Sequence, residues 1–192
     1  MHGYVSGAGR REAGEGVIET MAEPMLFNVR RLETHDVADY RDLRLECLKA
    51  HPESFGSSWE YEAAKPASWW DERLQATTIF GGWGDNSQLV GAAGFRVDDV
   101  AKLRHKGVLW GMYVRPQARG TGLAAALVNE VIAHARTLVE DLHLKVVTSN
   151  DVAFRLYSAA GFEEYGLERR ALKIGSTYYD ERLMTLALKP RA

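Results

Sequence analysis

The chain has 192 residues, 46% hydrophobic, 26% charged and 10% aromatic, a profile that fits one globular domain with a full core and excludes disorder, collagen and coiled coil. Its 24 lysines and arginines against 26 aspartates and glutamates leave a formal charge of −2, so neither nucleic acid nor an anionic membrane is an expected partner and any ligand must be caught locally. One cysteine, Cys47, excludes an internal disulfide, and the six histidines show no metal-ligand spacing, so no metal is expected.

No apolar run approaches the roughly 18 residues of a membrane span, and no secretory apolar stretch stands at the front, so a cytoplasmic chain is expected. Met1 to Pro24 carries five glycines and mixed charges without apolar periodicity, and residues 1–24 are expected to be a disordered extension of a domain over 25–192. From Met25, the apolar positions Leu26, Val29 and Leu32 suggest a first strand. Thr34 can cap a helix whose inward face includes Val37, Tyr40, Leu43 and Cys47. Ser57 or Ser58 can cap a short helix containing Trp59, Glu60 and Glu62, and Pro66 suits the first turn of a further helical segment through Leu74.

Thr77 to Trp83 and Gln88 to Val97 flank the turn formers Gly84 to Ser87 and read as an antiparallel hairpin, with Lys106 to Val114 as the next strand. A helix from about Gly122 to Leu138 places Leu123, Leu127, Val131 and Ala135 on one face. Leu142 to Thr148 is a strand. Asn150 or Asp151 caps a short helix carrying Val152, Leu156 and Ala160, which Gly161 ends. Phe162 onward and Tyr178 to Leu188 are closing strands. A meander followed by strands alternating with helices predicts an α/β (α+β) fold with a mixed sheet and helices on both faces.

The chemistry concentrates between the strand ending at Val114 and the helix that follows. Gly120 and Gly122 let successive backbone N–H groups point at one spot, the helix start leaves N–H donors unpaired, and Arg119 adds a full charge, which together suit a phosphate. A tight turn using glycine for geometry alone is the plain alternative. Gly120, Gly122 and Ala125 also satisfy the dinucleotide pattern G-x-G-x-x-A, but several strands precede it and the next strand ends in Thr148, Ser149 and Asn150 with no acidic residue for a ribose. A phosphate-binding G-x-x-x-x-G-K-[S/T] loop is absent from the sequence.

Gln117, Gly120 and Gly122 match Q/R-x-x-G-x-G/A, and Asn150, Ala153, Leu156, Tyr157, Gly161 and Phe162 match N-x-x-A-x-x-L-Y-x-x-x-G-F. With both motifs in this order the chain resembles the GNAT acyltransferase superfamily, with weaker likeness from Leu26 to Leu188 that includes Pro52 to Ser58. The resemblance implies a GNAT-like, mostly antiparallel twisted sheet of about six to seven strands. It implies acetyl-CoA as co-substrate, its pyrophosphate on the backbone of Arg119, Gly120, Thr121, Gly122 and Leu123 beside Gln117. Met112 and Val114 would offer backbone groups to the pantetheine arm and acetyl carbonyl, with Asn150 and Tyr157 lining the same ligand. Gly111 is the expected bulge that parts two strands for that arm, with packing under Trp110 as its other reading.

Asn150 and Tyr157 are two helical turns apart and share a face. In this fold class amine attack on the thioester expels a thiolate, and Tyr157 is the candidate proton donor to it, against a core tyrosine as the alternative. The base is less defined. Many relatives carry a glutamate on the strand ending at Val114, whereas Gly107 to Gly111 hold no carboxylate here; Glu60, Glu62, His105 and Glu181 are the remaining candidates, with Glu60 and Glu181 favoured beside Tyr157 as catalytic. Trp59, Trp69, Trp70, Trp110 and Tyr113 could frame a cationic or aromatic acceptor. The expected activity is N-acetylation of a primary amine, on a small molecule or a peptide or protein, by direct attack in a ternary complex. A non-catalytic acyl-CoA-binding module and a nicotinamide-dependent enzyme are the alternatives, and a homodimer is left open.

Overall fold

The computed structural model describes residues 27–189. The expected N-terminal extension, and Met25 and Leu26 of the expected first strand, lie outside the described residues. Strand β1 spans Asn28–Arg31, α1 Val37–Ala50, α2 Trp59–Ala63, α3 Ala67–Ala76, β2 Thr78–Trp83, β3 Leu89–Val97, β4 Lys106–Val114, α4 Leu123–Ala135, β5 Asp141–Val147, α5 Asp151–Ala159, β6 Glu163–Ile174 and β7 Thr177–Ala187. The seven strands form one sheet in the order β1-β2-β3-β4-β5-β7-β6. Every pairing is antiparallel except β4 with β5, as a helical crossover between parallel strands requires.

The sheet separates two cores. On one face α4 contributes Leu123, Leu127, Val131 and Ala135, all at 0% exposure, the i, i+4 stripe of an inward helix face. On the other, α1 and α3 bury Tyr40, Leu43, Cys47, Leu48 and Trp70. Cys47 is core, and burial pushes its thiol up to about 11.

Three helix ends differ from expectation. Thr34 does not cap α1, because a 3-10 turn over Thr34–Asp36 intervenes. Asp36 organises that turn: its carboxylate accepts from the Glu33 N–H at 2.9 Å and from Arg30 at 2.7 and 2.8 Å. Pro66 stands at the N-cap of α3, with extended backbone, instead of within its first turn. Helix α4 stops at Ala135 instead of continuing to Leu138; Arg136 bonds back to Ile132 and His134, and the tightened exit puts Val139 in the core at 1% exposure and leaves Leu138 outside at 53%.

Candidate active site

Strands β4 and β5 pair through only three positions, Lys106 with Asp141, Gly107 with Leu142 and Val108 with His143, and then part. On the other edge of β4 the register with β3 shifts between Ala92 and Gly94, where Gly111 takes φ +66. Two residues of β4 therefore stand against one of β3, and the bulge bends β4 away from β5. Inside the gap lies a cavity of about 100 Å³ walled by Trp110, Gly111, Met112, Lys145, Asn150 and Tyr157. It shares Met112, Val147 and Asn150 with a groove of about 460 Å³ that runs past Val114 and Arg119.

At the head of that groove the chain turns into α4. Gly120 and Gly122 have φ of +78 and +90, and a side chain at either would meet nothing within 4 Å. Conformation, and not crowding, is what selects glycine there, and the space over the turn is open. Thr121 fastens the turn, its hydroxyl donating to the Ala118 carbonyl at 2.8 Å and accepting from the Leu123 N–H at 3.4 Å. Arg119 donates through Nε to the Val114 carbonyl at 3.1 Å and sets Nη2 at 3.4 Å from Nε2 of His51. Gln117 is exposed on the one-turn 3-10 segment Pro116–Ala118. An N–H cradle at a helix start, beside a guanidinium and in front of a cleft between strands, fits a diphosphate with an extended arm.

Helix α5 forms the far wall. Asn150 caps it, its Oδ1 accepting from the Ala153 N–H at 3.1 Å, and faces both cavities. Val152, carried on the same helix, is 73% exposed and borders the groove. Tyr157 is 5% exposed, packed edge-on against Phe162 at 5.9 Å. Burial alone raises its phenol above the ordinary range, so the hydroxyl stays protonated at neutral pH.

The carboxylates expected near the site separate. Glu62 is spent on Arg44 at 2.8 Å. Burial would raise it, yet the bonds from Arg44 and the charge of Arg73 outweigh that and hold it low. Glu60 is exposed on the rim of a different groove, between α2 and the β6 end near Gly175. His105 lies at the start of β4, away from the bulge, its carbonyl accepting from Glu140 and Asp141. Glu181 on β7 is opposite Val147, 9% exposed and 3.9 Å from Lys145 Nζ. Burial raises its carboxyl, against the nearby Lys145 charge.

Two groups of residues were not singled out from sequence as site residues. His51, Glu53, Ser54 and Phe55, between α1 and α2, wall the groove opposite α5; the likeness over Pro52 to Ser58 was the only signal for the last three, and His51 had none. Glu46 accepts from the Tyr113 hydroxyl at 2.9 Å and from Arg115 Nε at 2.8 Å. This network spans 67 and 69 residues and leaves no local pattern. Burial first, then the Glu46 bond, pushes the Tyr113 phenol up to about 12. Trp59 stands apart on the α2 groove, whereas Trp69 and Trp110 each lie 4.8 Å from the Arg73 guanidinium.

Residues 40–162 match the family model described as Acetyltransferase (GNAT) family. Over 70 residues the chain is 37% identical to the N-alpha-acetyltransferase RimI of Mycobacterium tuberculosis, a stretch that is 36% of this chain and 43% of that protein. The match thus spans less than half of that relative. The acetyltransferase of GNAT family from Streptococcus pneumoniae superposes with a TM-score of 0.74 at 21% identity, covering 84% of this chain and 99% of that one. The protein yncA of Salmonella typhimurium, solved with its cofactor acetyl-CoA, gives 0.72 at 18% identity, over 87% and 96%. At these identities the two structures speak for the fold.

Proposed function

Since the chain belongs to the acetyltransferase (GNAT) family, we propose that it transfers an acetyl group from acetyl-CoA to a primary amine by direct attack in a ternary complex. The observation that carries this reading is the parting of β4 from β5 after Val108, into a gap joined to a groove that runs past Val114 and Arg119 towards the start of α4. Acetyl-CoA, when bound, supplies an acyl group activated as a thioester. The N–H groups of Gly120, Thr121 and Gly122 would hold its diphosphate, joined by that of Leu123, which the Thr121 hydroxyl shares, with Arg119 and Gln117 beside them. Met112 offers its backbone to the arm; Val114 does so while sharing its carbonyl with Arg119. The Asn150 side chain, whose oxygen is used in capping, has its amide N–H group left to donate.

Tyr157 gives its proton, or a hydrogen bond, to the departing sulfur; its site is the cavity inside the strand gap. Glu181, paired on β7 with Val147 of the groove wall, takes the proton that an incoming ammonium must lose, and burial raises its carboxyl towards a better matched base. Glu60, on the rim of the neighbouring groove, stands away from the reacting atoms and takes no part in the transfer. A small-molecule amine and a peptide amine present the same nucleophile. Among the described residues no cluster of three His, Cys, Asp or Glu side chains is placed to hold a metal, and no helix is long and apolar enough to cross a membrane.

Thermal unfolding with ligands tests the reading. A ligand bound only by the folded state stabilises it by about 2.7 kcal/mol at a hundredfold excess over Kd, so acetyl-CoA and CoA should raise Tm while NAD and ATP do not. Thiol release should then require both acetyl-CoA and an amine. A shift with NAD alone overturns the proposal, and CoA binding without thiol release across an amine panel reduces the protein to a binding module.

A further inference from the structure

Arg44 and Glu62 are buried beside the β4 bulge and Arg73 is half-buried there, and the three charges do not balance. Arg44 on α1 gives Nε and Nη2 to the carboxylate of Glu62 at 3.0 and 2.8 Å, and Arg73 on α3 reaches the same carboxylate at 3.5 Å. Two guanidinium groups therefore share one carboxylate, with side chains exposed by 6%, 16% and 2%. A surplus positive charge with little access to water is costly unless an anion meets it.

Donors are also left over. Arg73 Nε and the indole N–H of Trp110 are buried without an acceptor, although buried donors are normally bonded. Arg44 Nη1 has only the Cys47 sulfur, at 4.0 Å. These groups converge. The Arg73 guanidinium lies 4.8 Å from the Trp110 ring, Trp110 and Gly111 wall the cavity in the strand gap, and Arg44 Nη1 is 3.7 Å from where a Cβ on Gly111 would stand.

We infer that the acceptor is an amino-acid-like molecule, with a carboxylate beside its amine, and that Arg73, the Trp110 N–H and Arg44 Nη1 receive that carboxylate. The inference rests on the acetyl-transfer reading. A simple amine or polyamine arrives as a cation and adds like charge to the guanidinium surplus. An amino acid brings the missing negative charge and fills the empty acceptor positions, while its amine remains directed at the gap. The rings of Trp69, Trp110 and Phe55, which the two guanidinium groups also contact, border the same place.

The test is calorimetric binding to the CoA-saturated protein of matched trios: phenylalanine, leucine and glutamate, each with its methyl ester at the α-carboxyl and its decarboxylated amine. In at least one trio the free carboxylate should bind about 10- to 100-fold more tightly than its two partners, the range of a charged hydrogen-bonded contact. Arg73→Gln should erase that difference while keeping CoA affinity. Equal affinities within every trio, tightest binding by the amines, no binding by any member, or a preference that survives in a CoA-binding Arg73→Gln protein would each overturn the inference. The trios use the unaltered protein, so the comparison holds even where the variant fails to fold. Carboxylate preference in binding without thiol release would count against acetyl transfer and in favour of this recognition.

Discussion

Tyr157 carries a hydroxyl that the fold does not use: it is 5% exposed, burial is the sole influence raising its phenol, and its ring packs on Phe162. A tyrosine kept only for packing is served as well by phenylalanine, because a buried hydroxyl without a partner is a cost. Tyr157→Phe should therefore leave Tm and CoA affinity nearly unchanged. If the hydroxyl serves the departing sulfur, the single-turnover rate of acetyl transfer should fall by about 10² to 10⁴-fold, the general acid range, with kcat and kcat/KM falling together. Single-turnover measurement is needed because slow product release can hide a chemical step. A rate within about twofold of the unaltered protein, well short of that range, would retire Tyr157 as the acid and leave water to protonate the thiolate.

At the level of elements, the junction of β4 and α4 joins conformation to binding. Gly120 sits at φ +78 with open space around it, so valine would meet no clash there but would be strained by a backbone conformation that β-branched residues avoid. Gly120→Val should weaken CoA binding by calorimetry more than it lowers Tm, since the strain is local and the cradle N–H groups must re-aim; unchanged affinity in a folded variant would put the diphosphate elsewhere. This junction was readable because strand, turn and helix each leave a local mark: a near-continuous apolar run from Val108 to Val114, two glycines, then the Leu123, Leu127, Val131 stripe. Helix ends set by partners far away were not. Thr34 carries a capping side chain, yet Arg30 and Asp36 decide where α1 begins. The exit of α4 depends on Val139 reaching the core, which no spacing rule within the helix specifies. For the site the same division holds. Gly111, Asn150 and Tyr157 were legible from local pattern and resemblance, whereas the Arg44, Glu62 and Arg73 cluster joins three helices and has no sequence period.

On the scale of the whole molecule, the two faces of the sheet should respond differently to acid. On the α4 face His134 packs its ring edge-on against Phe80 and Phe95 at 5.8 and 5.3 Å; burial lowers its pKa below the ordinary 6.5. Its neutral form is the one the fold accommodates, so its contribution is full above the unfolded value and is lost as pH falls from there to the folded value. The opposite face holds Glu62, kept low by Arg44 against the effect of burial, and Asp36, kept low by its bond from Arg30. Both stabilise above the unfolded carboxylate range and lose that contribution as pH falls through their depressed folded values. Glu181, raised by burial, has the opposite sign and favours the fold when protonated, so it opposes part of the second loss. Tm followed downward from pH 8 should therefore fall in two stages, a shallow one below about 6.5 and a steeper one below about 4. His134→Leu should remove the first stage alone. Glu62→Gln should lower stability at neutral pH by about 3–5 kcal/mol, because Arg44 is left buried without its partner, and should flatten the second stage, because the group that titrates there is gone. An acid limb of unchanged slope in Glu62→Gln would mean that the α1 to α3 layer is not what acid releases first.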